Sequence, residues 1–291
     1  MKVTQMATYR TLKNQLNINT SSLNRLYEQA LTGKQVNKPS DNPSAISPIL
    51  NSDEEIEKAN CYLETIGSTQ DNLDILDGYL DSAETLFVRV KEIAISGINS
   101  SMSNEDMQTL ADEVSHLQEQ LTDIANAQVD GKYLFAGYAE DTLPFSGDPV
   151  TYNGTSDHKM VEIGSGQTIQ TNLAGNELFM NPVDVFATLS NLEAALSSGD
   201  PSLVEAQMTP LDQAAEQVRS GRTEMGNNNA YLDDVASLTE EIKLQMSERL
   251  SNYEGADYVE ILTNITLAEQ SYEAALDISA RLSKLSILDY M

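Results

Sequence analysis

The chain has 291 residues, no Trp, five Phe and a single Cys, and its 17 basic residues face 45 acidic ones, for a formal charge of −28. Such a surface repels nucleic acid and anionic membranes, and the lone Cys61 excludes an intrachain disulfide. The apolar content is mostly Leu, Ile, Val and Ala, which suits helical seams rather than a large core built on aromatics.

The N-terminal stretch "MKVTQMATYRTLKNQLN" lacks the apolar core and small-residue site of a secretory signal peptide, and no apolar run is long enough to span a bilayer. The first segment reads as a helix with a narrow heptad stripe. Tyr9, Leu16, Leu23 and Ala30 share one position, and Leu12 and Leu26 the other, with Asn19 interrupting. It ends at "TGKQVNKPSDNPSAISP". Gly33 fits a C-terminal cap, and Pro39, Pro43 and Pro48 oppose a continuous helix. Pro39, Ser40, Asp41 and Pro43 read as a structured turn, because Pro fixes φ while Ser and Asp supply local hydrogen bonds.

The helical pattern resumes near Asn51, with Ala59, Ile66, Leu73, Leu80, Phe87 and Ala94 spaced by seven. It breaks at Gly97 and "NSSMSNED". Ser103 to Asp106 fits an N-cap with acids in the first turn. Met107, Leu110, Val114, Leu117, Leu121 and Ile124 then form the cleanest heptad. Residues 131–182 change character and read as a small β-rich insert of three to five strands. "TYNGT" is a hairpin signal, and "MVEIG" and "QTIQTNL" are alternating runs that pair around "GSGQ". Helix returns at Val183 to Ala195 and again from about Leu203 to Leu250, with Gly221, Gly226 and the Asn run 227–229 weakening its middle. After Gly255 the last helix carries Tyr258, Ile265 and Tyr272 on one line and Ile261, Ala268, Ala275 and Leu282 on the other.

This order predicts a mainly α fold: an elongated rod of long antiparallel helices, coiled-coil-like terminal helices at one end, and a small β-rich insert. Residues 1–45 and 255–291 form the terminal pair, 46–130 and 183–254 the long-helix rod, and 131–182 the insert. Two narrow stripes facing each other leave Leu262, Leu276, Leu285 and Leu288 uncovered, and the sequence closes on the apolar "RLSKLSILDYM". Such an end is an assembly surface or an ordinary docked helix.

Catalytic chemistry has little to build on. His116 lies between heptad positions on a polar face, and His158 sits in the loop "TSDHK". Neither has the paired spacing of a zinc site. "IGSGQT" lacks the Lys and glycine spacing of a phosphate loop and reads as a hairpin turn. "SDEEIE" and "YAEDTLPFSGD" lack the pattern of a calcium loop. Cys61 has no His or second Cys partner. No catalytic residue, cofactor or metal site is expected.

Three stretches resemble known proteins. "LTGKQVNKPSDNPSAI" (31–46) is similar to the proline-containing turn after the N-terminal helix of flagellar axial proteins. "KYLFAGYAEDTLPF" (132–145) resembles the segment entering the β insert of the flagellar hook-associated protein 3 family, the distal hook–filament junction proteins. "GADYVEILTNITLAEQSYEAALDISARLSKLSILDYM" (255–291) resembles that family's C-terminal helix, and "RSGRTEMGNNNAYLD" (219–233) is a weaker fourth block. Together they cover about a third of the chain. The first and last are shared with flagellin, the alternative reading; "YLFAGY…TLPF" discriminates against it. Asn42 stands where the family often has Asp, and Met291 where it often has Leu.

The resemblance implies a structural protein rather than an enzyme, located in the extracellular flagellum. It implies export without cleavage through the flagellar type III apparatus, after binding of the C-terminal region by a cytosolic export chaperone. Assembly would follow as a ring of about eleven copies, with the first hook–filament junction protein on one side and flagellin on the other. The terminal helices would form the inner tube and the insert would lie outermost. The residues expected at the assembly interface are Leu12, Leu16, Leu23 and Leu26, with Ile265, Tyr272, Leu276, Leu282, Leu285 and Leu288. Pro39, Ser40, Asp41 and Pro43 would set the turn between shells. A cytosolic coiled-coil regulator with a ligand-binding insert is the reading from another class.

Overall fold

The structure is a computed structural model that describes residues 2–99 and 102–288, with side chains for residues 7, 9–99 and 102–281. The fold is mainly α. Its long helices are α1 (Lys2–Thr32), α2 (Pro43–Gly97), α3 (Asn104–Ala125), α6 (Pro201–Glu254) and α7 (Tyr258–Leu288). A shorter helix, α5 (Val185–Ser197), and the single turn α4 (Gly175–Phe179) complete the set. Contacts divide the chain into two compact units, one built from its two ends (up to Ala59 and from Glu241) and one from Asn60–Glu240.

In the 60–240 unit the heptad rows become the core. Leu73, Leu80, Phe87 and Ala94 of α2 are fully buried, as are Val114 and Leu121 of α3 and Leu211, Val218, Met225 and Leu232 of α6. α3 packs along α5. The start of α3 is the expected cap in its reciprocal form. The Ser103 hydroxyl accepts from the Asp106 N–H (3.2 Å), and the Asp106 carboxylate accepts from the Ser103 N–H (3.3 Å), so two of the helix's unpaired donors are satisfied.

Expectations change for α2 and for the insert. Helix α2 begins at Pro43, not near Asn51, and contains Pro48. Pro43 takes the first helical position, where its missing N–H costs nothing, so the proline break is confined to the segment before it. Helix α6 is one long helix, as the run from about Leu203 to Leu250 predicts, and continues through Gly221, Gly226 and the Asn run; tertiary contacts offset the roughly 1 kcal/mol propensity cost at Gly221. A Cβ at Gly221 would lie 2.6 Å from Leu178 Cδ1, Asn228 donates to the Gln170 carbonyl (3.1 Å), and Asn229 donates to Asp74 (2.7 Å). Beside them Arg222 forks onto Asp77 (2.8 and 3.1 Å) and also reaches Asp81 and Glu84.

The insert starts at Gln128 and holds six short strands in three separate antiparallel hairpins: β1 (Gln128–Val129) with β2 (Lys132–Tyr133), β3 (Phe145–Ser146) with β4 (Thr151–Tyr152), and β5 (Met160–Gly164) with β6 (Gln167–Gln170). The β5–β6 turn is Ser165–Gly166, as read from "GSGQ", with Gly166 at φ +72°. "TYNGT" is not a hairpin turn. Thr151 and Tyr152 are strand β4, which pairs backward through Gly147–Val150, and Gly147 supplies the positive φ.

Although aromatics are few, they are concentrated here. Phe145 packs against Tyr152, Phe179 and Phe186 at centroid distances of 5.1–5.5 Å, and Phe135 meets Phe179 edge-on at 5.4 Å. Asn126 clasps the Phe145 backbone at both N–H and C=O (2.9 Å each). Tyr152 donates to the carbonyls of Phe135 (2.9 Å) and Thr155 (2.8 Å), and burial pushes its phenol up to about 12. The segment "YLFAGY" therefore wraps an aromatic knot, with Gly137 at φ +65° passing under Thr155.

Candidate assembly surface

The unit made from the chain ends is built around two crossings. Gly33, at φ +70°, ends α1, and its N–H returns to the Gln29 carbonyl (2.9 Å) as a left-handed cap does. The two crossings are stitched by backbone. Gln35 N–H donates to the Glu254 carbonyl (2.6 Å) and Ala256 N–H to the Gly33 carbonyl (3.1 Å), forming a bridge between Lys34 and Gly255. Lys34 also pairs with Glu254 (2.5 Å). Val36, Ala45 and Ile49 bury behind it against Ile46 and Leu250.

Of the predicted turn residues, Pro39, Ser40 and Asp41 lie in a turn and Pro43 opens α2. Asp41 N–H closes onto the Lys38 carbonyl (2.9 Å) with Pro39 and Ser40 between them, the position where a proline ring suits a type I or II turn. One Asp41 carboxylate oxygen accepts from the N–H groups of Asn37 (3.1 Å) and Lys38 (2.9 Å). Asn42 accepts from the Ser44 hydroxyl (2.7 Å), a role its amide oxygen fills as a carboxylate would. Lys38 then ties the turn back to Glu28 of α1 (2.6 Å). Sequence reasoning missed Lys34, Glu254 and Gly255, which are far apart in the chain and carry no local signal.

Helices α1 and α7 lie against each other. Their seam is a cluster of Leu26, Ile261 and Ile265, flanked by Ala30, Ala256 and Ala268. Tyr27 donates to Glu269 across it (2.6 Å), and that bond holds the phenol proton above its ordinary value. The expected interface residues divide accordingly. Leu23, Leu26 and Ile265 are buried within the chain, while Leu12, Leu16 and Tyr272 are half-buried. Leu276 is 44% exposed, and the open apolar surface continues through Val259 (76%) and Leu262 (59%). The side chains of Leu282, Leu285 and Leu288 lie outside the described residues. The stripes close on each other only along a narrow line, and leucine remains facing outward on α7.

Among the described residues, no group of three or more His, Cys, Asp and Glu side chains is gathered as metal ligands, and no helix is long and apolar enough to cross a membrane. His116 is exposed beside Glu119 (3.5 Å), His158 faces Glu177 (3.7 Å), and Cys61 is exposed.

The bacterial flagellin N-terminal helical region matches residues 3–140. Flagellar hook-associated protein 3 of Escherichia coli is 23% identical over 274 residues, covering 85% of this chain and 86% of that one. Its Salmonella typhimurium counterpart is 23% identical over 86% and 87% of the two chains. Over most of its length the chain is similar to flagellar hook-associated protein 3. Solved structures share the fold. A flagellar hook-associated protein from Vibrio parahaemolyticus superposes with TM-score 0.69 at 23% identity over 74% of this chain and all of that one. FlgL from Xanthomonas campestris gives 0.61 at 20% identity over 69% and 99%. The Gly33–Asp41 turn lies within the region matched to the flagellin N-terminal helical region, and so does the segment "YLFAGY" (133–138), while the other aromatics it wraps lie beyond it.

Proposed function

We propose that the chain is a structural adaptor of the bacterial flagellum, assembled as a closed ring of about eleven copies between the first hook–filament junction protein and the flagellin filament. The terminal pair, 1–45 with 255–291, forms the inner tube domain of this ring. Residues 46–130 and 183–254 form the next shell, and 131–182 the outer insert. Each subunit reaches the site unfolded through the flagellar type III channel, without cleavage, after release from a cytosolic chaperone that covers its C-terminal region. The observation that carries this reading is the α1–α7 pair, whose seam buries Leu23, Leu26 and Ile265 while Leu262 and Leu276 stay open. A neighbour that covers those leucines gains about 1.5–3 kcal/mol for each one fully buried.

Deletion of the gene tests the proposal. Hooks remain, filaments are absent and flagellin accumulates in the medium; filaments of normal length on the deletion strain overturn it. A filament subunit is the second reading, favoured by the flagellin match and by a Treponema maltophilum flagellar filament core protein that is 22% identical over 72% of this chain. Abundance separates the two: sheared filaments contain thousands of copies of a filament subunit but only a trace of a junction protein.

A further inference from the structure

Basic charge is unevenly placed. In residues 60–240 every Lys and Arg is ion-paired: Arg89, Lys91, Lys132, Lys159, Arg219 and Arg222. Helix α1 is the reverse. It carries Lys2, Arg10, Lys13 and Arg25 against a single acid, Glu28, and Glu28 is already held by Lys38. Arg10, Lys13 and Arg25 are exposed, and among the described residues none meets a carboxylate. In a chain of charge −28, an unpaired cationic face is complementary to the surface of a second copy.

The helix geometry specifies which surface. At about 100° per residue, Arg10 sits about a third of a turn or more from each of Leu16, Leu23 and Leu26, and Lys13 lies toward the edge of that line, about 60° from Leu16. On α7, Glu269, Glu273 and Asp277 follow one another a turn apart, Glu269 at the edge of the seam and Glu273 and Asp277 turned progressively away from Ile261 and Ile265, Asp277 by about a third of a turn or more. Glu269 is taken by Tyr27. Glu273 is exposed and unpaired among the described residues, and Asp277 holds only Arg281 of its own helix, both ends exposed; such a pair is weak and readily exchanged. Heights agree as well. With Leu26 packed on Ile265, Lys13 lies about 20 Å along α1 and Asp277 about 18 Å along α7 in the same direction.

We propose that neighbouring copies meet side by side, with Arg10 and Lys13 of one against Glu273 and Asp277 of the next. The contact joins two different patches, so it repeats head to tail and closes a ring when the rotation permits. The apolar face of α7 supplies burial, and the charges fix which helix meets which and at what height. This inference rests on the reading that copies assemble at the junction.

The test uses the full-length gene in the deletion strain, with three variants: Arg10→Glu with Lys13→Glu, Glu273→Lys with Asp277→Lys, and all four changes together. Each single-sided reversal lowers the number of filaments per cell about tenfold or more, and the four-fold variant restores it to within about threefold of wild type. Filaments that persist with either single-sided reversal overturn the pairing and leave the junction role standing. So does a loss that the four-fold variant fails to rescue, since the charges then serve another partner. Filaments that survive the gene's deletion overturn both.

Discussion

Gly137 is where backbone conformation and close approach coincide, so replacing it with Ala separates the two effects. Its φ is +65°, and an added Cβ would lie 2.2 Å from the Thr155 carbonyl oxygen and 2.4 Å from Thr155 Oγ1. The conformation alone costs an L-residue about 1–2 kcal/mol. The contact forces Thr155 away, and Thr155 accepts from the Tyr138 N–H (2.9 Å), donates its own N–H to the Ala136 carbonyl (3.0 Å) and holds the Tyr152 hydroxyl (2.8 Å). Displacement in a packed site costs about 1–3 kcal/mol more, giving a total near 2–5 kcal/mol. Gly131 is the control: φ is +79°, with nothing within 4 Å of an added Cβ, so Gly131→Ala carries the conformational cost alone. Native-state hydrogen exchange at the Tyr138 and Thr155 amides of both variants reads the difference directly. Opening free energies for the two that agree to within about 0.5 kcal/mol would show that the close approach under Thr155 has no energetic weight.

Three further outcomes follow from the geometry. Glu84 accepts from Arg219 and Arg222, which hold its carboxyl below the usual carboxylate range. Its stabilising contribution is therefore present above the unfolded value of about 4.3 and is lost as pH falls through the lower folded value. Urea melts of wild type weaken between neutral pH and about pH 3 more steeply than those of Glu84→Gln, and parallel pH profiles would refute the role. Ser103→Ala removes the reciprocal cap of α3 and costs about 1 kcal/mol, read as faster exchange confined to the first turn of α3. Leu26→Ala empties the centre of the α1–α7 seam and costs up to about 2–3 kcal/mol, with exchange rising in both helices together; a response in α1 alone would argue against the pairing.

Heptad rows were legible without coordinates because a side chain's face on a helix depends only on its spacing. The rows 73–80–87 and 211–218–225–232 are core, and the turn residues Pro39 and Asp41 act through neighbours within a few positions, which local sequence records. Other features rest on distant partners. Gly221 and the Asn run weaken a helix locally, yet α6 continues through them with contacts from residues more than forty positions away: Leu178 on Gly221, Gln170 on Asn228, Asp74 on Asn229. "TYNGT" carried a turn signal, but Tyr152 is drawn into strand β4 by the Phe145 cluster and the two carbonyls its hydroxyl reaches.

By itself, the sequence determined a mainly α chain with two terminal heptad stripes, a glycine-rich insert and an acidic surface, since composition and period decide these. Tertiary structure alone decided which stripe residues are spent inside the molecule and which stay open. Leu12 and Leu16 share the heptad positions of Leu26 and Leu23, yet the first two are half-buried and the last two buried. It also decided that Arg10, Lys13 and Arg25 of α1 meet no carboxylate among the described residues while the cations of residues 60–240 are all matched, because an ion pair depends on a distance through space that charge counts along the chain do not contain.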